Sequence, residues 1–145
     1  MKPGQIRPIA ICIFRRGDQI LVAEWYDPSK GHHFYRPLGG SIEFGEHGRR
    51  TVERELMEEL GAEVADLHYV TMFENIFSYN GQQGHEIVLL YEGKLVDQAL
   101  YEVDTLLGHD DGDVPLKAVW RHLDSFGPSA PLYPDGLLEL LRAGA

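Results

Sequence analysis

A single cysteine in 145 residues leaves no partner for an internal disulfide and no thiolate set for a metal cluster. Cys12 lies in the run Ile9-Ala10-Ile11-Cys12-Ile13-Phe14, where a small buried core residue is expected. Cations are scarce too: 13 Lys and Arg against 23 Asp and Glu give a net charge of -10. That balance argues against a broad contact with a nucleic-acid backbone, which needs clustered cations. Small anionic substrates stay open, because divalent cations can lend positive charge to an acidic site. No apolar run is long enough to span a bilayer, and Met1 to Arg7 lacks the basic-then-apolar pattern of a secretion signal. A cytoplasmic protein with no membrane partner is therefore expected.

Repeats, low-complexity tracts and Ser/Gly linkers are also absent, so residues 1–145 read as one domain. Ile9 to Phe14 is apolar on both faces, as in a central strand covered from both sides. Ile20 to Ala23 reads as a second strand, Trp25 to His33 as a loop, and Phe34 to Pro37 as a short extended piece ending in a turn at Gly39-Gly40. Val64 to Tyr79 and His85 to Leu95 form a hairpin around Asn80-Gly81-Gln82-Gln83-Gly84. Asp97 to Val114 reads mostly as an acidic loop, followed by a strand at Lys117 to Arg121. Asp135 is the expected N-cap of a last helix, Gly136 to Arg142, docking Leu137, Leu138 and Leu141. Strands interleaved with helices predict an α/β or α+β domain.

The strongest helix signal is Gly45 to Leu60, with Val52, Leu56 and Leu60 at i, i+4 and i+8, Met57 beside them, and Gly61 as the stop. At about 100° per residue, Glu59 falls about 40° from Glu55 and Glu58 about 60° to the other side. Three carboxylates thus share one arc, and their mutual repulsion costs helix stability. A divalent cation reverses that sign, and hard oxygen ligands are what Mg²⁺ prefers. A solvated acidic face is the bland alternative for Glu58-Glu59 taken alone. Gly39-Gly40 before the helix, where backbone can approach a metal or phosphate, and Gly61 after it favour the site. Arg54, four residues before Glu58, can pair with it.

The stretch Gly40, Glu46, Arg54-Glu55-Leu56, Glu58-Glu59, Gly61-Ala62 resembles the Nudix hydrolase signature over 23 of 145 residues. Every charged and glycine position is present at the family spacing; Ala62 is smaller than the usual aliphatic and bears on packing. The resemblance implies an α/β/α sandwich with a mixed sheet and the box, 40–62, as loop-helix-loop. It implies Mg²⁺- or Mn²⁺-dependent hydrolysis of a nucleoside diphosphate linked to another group. By position, Glu55, Glu58 and Glu59 would be metal ligands with the Gly39 carbonyl, and Gly40, Glu46 and Arg54 would support them. A nucleotide-binding module without turnover is the alternative, but a pure binder has no need of three crowded acids.

Outside the box the reading branches. The general base is open between Glu86, Glu102, Asp113 and a box carboxylate such as Glu58 or Glu59. Glu86 follows the hairpin turn and alternates with apolar residues, so it projects toward the box. Arg36 is either a phosphate contact or a surface salt bridge. Phe73, Phe77, Tyr79 and Tyr35 either stack a nucleobase or fill the core. His32-His33 is a weak zinc signal without further spaced ligands. The expected partner is a small phosphorylated compound, a nucleotide derivative, and a homodimer is compatible with these residues without being derivable from them.

Overall fold

Two cores meet across the central apolar strand. A computed structural model describes residues 3–110 and 112–144; Asp111, inside the expected acidic loop, lies outside them. The strands are β1 (Ile6–Ile13), β2 (Arg15–Arg16), β3 (Gln19–Asp27), β4 (His32–Ser41), β5 (Val64–Tyr79), β6 (Gln82–Leu95), β7 (Thr105–His109) and β8 (Pro115–His122). Helix α1 (Gly48–Leu60) follows β4, and α2 (Leu137–Arg142) closes the described chain. Along β1, Ala10 and Cys12 face a core with Val52 and Leu56 of α1, while Ile9, Ile11 and Ile13 face a second core with Leu137 and Leu141 of α2. Period-two alternation explains how one wholly apolar strand serves both. The buried Cys12 thiol is pushed well up, first by desolvation and then by the charge of Glu92, so it stays an inert core residue.

The sheet order is β5-β6-β1-β4-β3-β8-β7, with β2 paired to β3. β1 and β6 run parallel, and the other pairs are antiparallel, giving the mixed sheet of an α+β fold. β4 divides its loyalties. Leu38 to Ser41 pair with β1, whereas His32 to Pro37 pair with β3. The sheet forks at that hand-over, and the fork opens the cleft described below.

Several expected boundaries move. β3 continues to Asp27 and β4 begins at His32, so Trp25 to His33 is not one loop. β4 also runs straight through Gly39-Gly40, which pair with Ile11 and Ala10 and make no turn. α1 begins at Gly48 rather than Gly45 and ends as expected at Gly61, in the left-handed conformation with its N–H on the Leu56 and Met57 carbonyls. Met57 is about half exposed and not part of the core arc. The hairpin turn is the two residues Asn80-Gly81, both at positive φ. The acidic segment is not mostly loop, since it holds a 3-10 turn at Gln98–Tyr101 and the edge strand β7. Asp135 does not cap α2; Gly136 occupies that place, with no side-chain cap bond. The aliphatic docking of Leu137 and Leu141 holds. Among the described residues, no helix is long and apolar enough to cross a membrane.

Candidate active site

Arg54 projects from the middle of α1 and organises the acids around it. Its Nε donates to Glu46 Oε2 at 2.8 Å and lies 2.9 Å from Glu43 Oε1, while Nη2 donates to Glu46 Oε1 at 2.9 Å and to the Ser41 carbonyl at 3.0 Å. Nη1 donates to Glu55 Oε1 at 2.9 Å and to Glu58 at 3.3 Å. One guanidinium therefore ties the helix to β4 and to the loop between them. Its bidentate grip on Glu46 has the planar geometry that lysine lacks. Thr51 Oγ1 also donates to Glu46 at 2.6 Å.

These bonds, the Arg54 one above all and the Thr51 one next, hold the Glu46 carboxyl at about 2, against an ordinary 4.5. Because the folded value lies below the unfolded one, the folded state binds fewer protons between them. The stabilisation is then complete above about 4.5 and lost as the pH falls toward about 2. Acid unfolding followed by circular dichroism should show this directly: Glu46→Gln flattens the loss of stability over that window. An unchanged acid limb would show that Glu46 does not carry it.

Glu55 and Glu59, one helical turn apart, are 3% and 7% exposed, whereas the Glu58 side chain is 46% exposed. The three share the expected arc, but it lies across the helix boundary with solvent, so its two ends differ. Glu55 is packed against Gly40, where a Cβ would sit 2.6 Å from Oε1. Glycine there opens room for a carboxylate rather than for a turn. Gly39 has φ 148°, and a Cβ would overlap the Ala10 carbonyl oxygen on β1.

Glu55, Glu59, Gly39 and Gly40 line a cleft of about 410 Å³ in the fork of the sheet, which Glu86, Arg36, Arg7 and Asp110 also line. Four carboxylates face two guanidiniums there, so the cleft itself is net negative. A diphosphate would be repelled unless a cation entered with it. Among the described residues no three His, Cys, Asp or Glu groups converge on a metal-sized point. Mg²⁺ needs only one or two carboxylates beside water and phosphate oxygens. Buried hard oxygen donors on one helix face fit that requirement.

Glu86 on β6 is 2% exposed, and its Oε1 accepts from Arg36 Nη2 at 2.8 Å. Arg36 is thus a cleft residue rather than a surface one. Glu102 and Asp113 are exposed and outside the cleft lining; Asp113 lies 3.8 Å from His109. Phe77 and Tyr79 line the cleft, together with Trp25 and Phe34, while Phe73 and Tyr35 pack in the second core. His32 Nδ1 lies 3.0 Å from the His33 carbonyl, and neither histidine belongs to a metal-sized group. Sequence reasoning missed Glu43, Arg7, Trp25, Phe34 and Asp110. Arg7 carried a usable signal, since it falls in phase with Ile9 and Ile11.

A mixed sheet between helices, with an Arg-tethered acidic helix beside a cleft, defines a hydrolase architecture that comparison resolves further. The NUDIX domain model matches residues 5–136, and the chain belongs to that family of hydrolases. A NAD-capped RNA hydrolase NudC of Enterobacter sp. (strain 638) is 45% identical over 67 residues, 46% of this chain and 25% of that protein. The Escherichia coli O1:K1 counterpart is 43% identical over the same shares. The match thus spans about a quarter of the length of these curated relatives. Among solved structures, the E. coli ORF135 protein superposes with a TM-score of 0.62 at 26% identity, covering 96% of this chain and 90% of that one. A MutT NUDIX hydrolase from Burkholderia pseudomallei gives 0.62 at 21% identity, covering 94% and 95%, a likeness of fold.

Proposed function

We propose that this hydrolase cuts a diphosphate linkage in a nucleoside-diphosphate-linked substrate, with Mg²⁺ or Mn²⁺ in the cleft. The observation that carries the reading is the buried pair Glu55 and Glu59 lining a net-negative cleft against the Gly39-Gly40 backbone. Glu55, Glu58 and Glu59 would hold the cation, with the Gly39 carbonyl as a further oxygen donor. Bound there, a divalent ion polarises phosphoryl oxygens and offsets the negative charge of cleft and substrate.

The chain's own groups do the rest. Arg54 and Glu46 fix the Glu55 carboxylate, so little reorganisation is needed when substrate enters. Arg36 meets a phosphoryl oxygen through its fork of N–H donors. Glu59, inside the cleft, accepts the proton of the attacking water as the water oxygen bonds to phosphorus and the bridging oxygen departs. Phe34, Phe77, Tyr79 and Trp25 offer aromatic faces for a nucleobase.

The attached group is not carried over from the curated relatives, whose names point to NAD-capped RNA, because the match spans a quarter of them. A net charge of -10 weighs against a long RNA. The test is a hydrolysis panel of nucleoside triphosphates, nucleotide sugars, ADP-ribose and dinucleoside polyphosphates with Mg²⁺ or Mn²⁺. Release of a nucleoside monophosphate from at least one class, abolished by a chelator, is expected. Equal turnover in the chelator would overturn the mechanism.

A further inference from the structure

Arg7 on β1 stands opposite Glu86 on the parallel strand β6, and Arg36 reaches the same carboxylate from β4. The two Glu86 oxygens are divided between them: Oε1 lies 2.8 Å from Arg36 Nη2, and Oε2 lies 3.9 Å from Arg7 Nη1. Three strands, far apart in sequence, thus converge on one buried acid inside the cleft. One carboxylate cannot balance two guanidiniums, so this wall keeps an excess positive charge in a cleft that is otherwise acidic. The buried Arg7 Nε has no hydrogen-bond partner among the described residues. Buried donors are rarely left so, and an unspent donor beside uncompensated charge is a place for an anion.

The stoichiometry indicates which anion. A terminal phosphoryl group carries about two negative charges and three free oxygens, enough to serve two guanidiniums together. A phosphoryl esterified on both sides carries one charge and two free oxygens, and leaves one guanidinium unmatched. We propose that Arg7 and Arg36, held apart and oriented by Glu86, form a subsite for a terminal phosphoryl group. The enzyme then prefers substrates ending in a free phosphate, such as nucleoside triphosphates, over nucleotide sugars esterified at both ends. Glu86 is a positioning residue here: without it two like charges would repel across the cleft. This specificity rests on the diphosphate-cutting reading of the same cleft.

Binding and turnover test it separately. Calorimetry in Mg²⁺ uses methylenediphosphonate, which has free phosphonate ends and no hydrolysable linkage. Arg7→Gln should weaken its binding about tenfold, as for a lost charge-assisted hydrogen bond, and Arg7→Lys should restore only part. Unchanged binding in Arg7→Gln overturns the subsite. In kinetics, Arg7→Gln should raise KM for a nucleoside triphosphate about tenfold with kcat little altered, and leave a nucleotide sugar's KM nearly unmoved. An equal change for both substrates, or a wild type that prefers the nucleotide sugar, overturns the specificity. Loss of a proton acceptor costs about 10² to 10⁴ in rate, so such a fall in kcat for Glu86→Gln overturns its positioning role; a change in KM with kcat within about tenfold supports it. Should the wild type cut neither substrate, the specificity fails while turnover of ADP-ribose or a dinucleoside polyphosphate still tests the hydrolase mechanism, and the calorimetry still decides the subsite. Circular dichroism of each variant checks that the fold persists.

Discussion

Glu59→Gln is expected to lower turnover by about 10² to 10³, a loss of several kcal/mol in transition-state stabilisation. The side chain is 7% exposed and faces the cleft, so the amide fills the same volume while removing one negative charge. That charge serves twice in the proposed mechanism, once toward the cation and once toward the proton of the attacking water. Stability should not fall with it. Glu55, Glu58 and Glu59 share one helix arc in the metal-free protein, and neutralising one relieves like-charge repulsion. Steady-state kinetics in Mg²⁺ beside thermal denaturation in a chelator separates the two effects. The expected pattern is a large fall in kcat with a melting temperature equal to or above that of the parent. Full activity in this variant would remove Glu59 from the mechanism.

The parts of this site that were legible in the sequence are those governed by local periodicity. Val52 and Leu56 are fully buried where a 3.6-residue repeat places them, and Gly61 stops the helix with positive φ. The alternation of β1 between two cores follows equally from a run that is apolar at every position. What escaped depends on partners distant in the chain. Asp97 to Val114 looks mostly like an acidic loop, yet Thr105–His109 within it pairs with β8 as a short edge strand. Its exposed Leu107 and acidic surroundings belong to an edge and blur the usual strand pattern. The phase of Arg7 with Ile9 and Ile11 is local, but its pairing with Glu86 comes from the β1–β6 register, which no local window contains. Met57 failed differently: a neighbouring apolar residue on a helix need not face the core, and this one is exposed.

Gly39 marks the sharpest difference between a local and a tertiary reading, and it carries the second large effect. In the sequence, Gly39-Gly40 before an acidic helix reads as a turn; in the fold, Gly39 sits in mid-strand opposite Ile11 with φ 148°. Gly39→Ala is therefore expected to destabilise the protein by about 3 kcal/mol or more. A non-glycine residue in that backbone region costs about 1–3 kcal/mol. The overlap of a Cβ with the Ala10 carbonyl adds overpacking of similar size. The colliding atom is backbone of the central strand and cannot swing aside as a side chain would. With about 2–4 °C lost per kcal/mol in a chain of this size, the melting temperature should fall by about 10 °C. Gly17→Ala is the control, since Gly17 has φ 60° and nothing lies within 4 Å of its would-be Cβ. It bears a backbone penalty of about 1 kcal/mol without a collision. Equal melting temperatures for the two variants would show that strand contact is not what reserves position 39 for glycine. A much larger fall for Gly39→Ala, with activity lost in the surviving folded fraction, ties the β1–β4 contact to the placement of Glu55 beside Gly40.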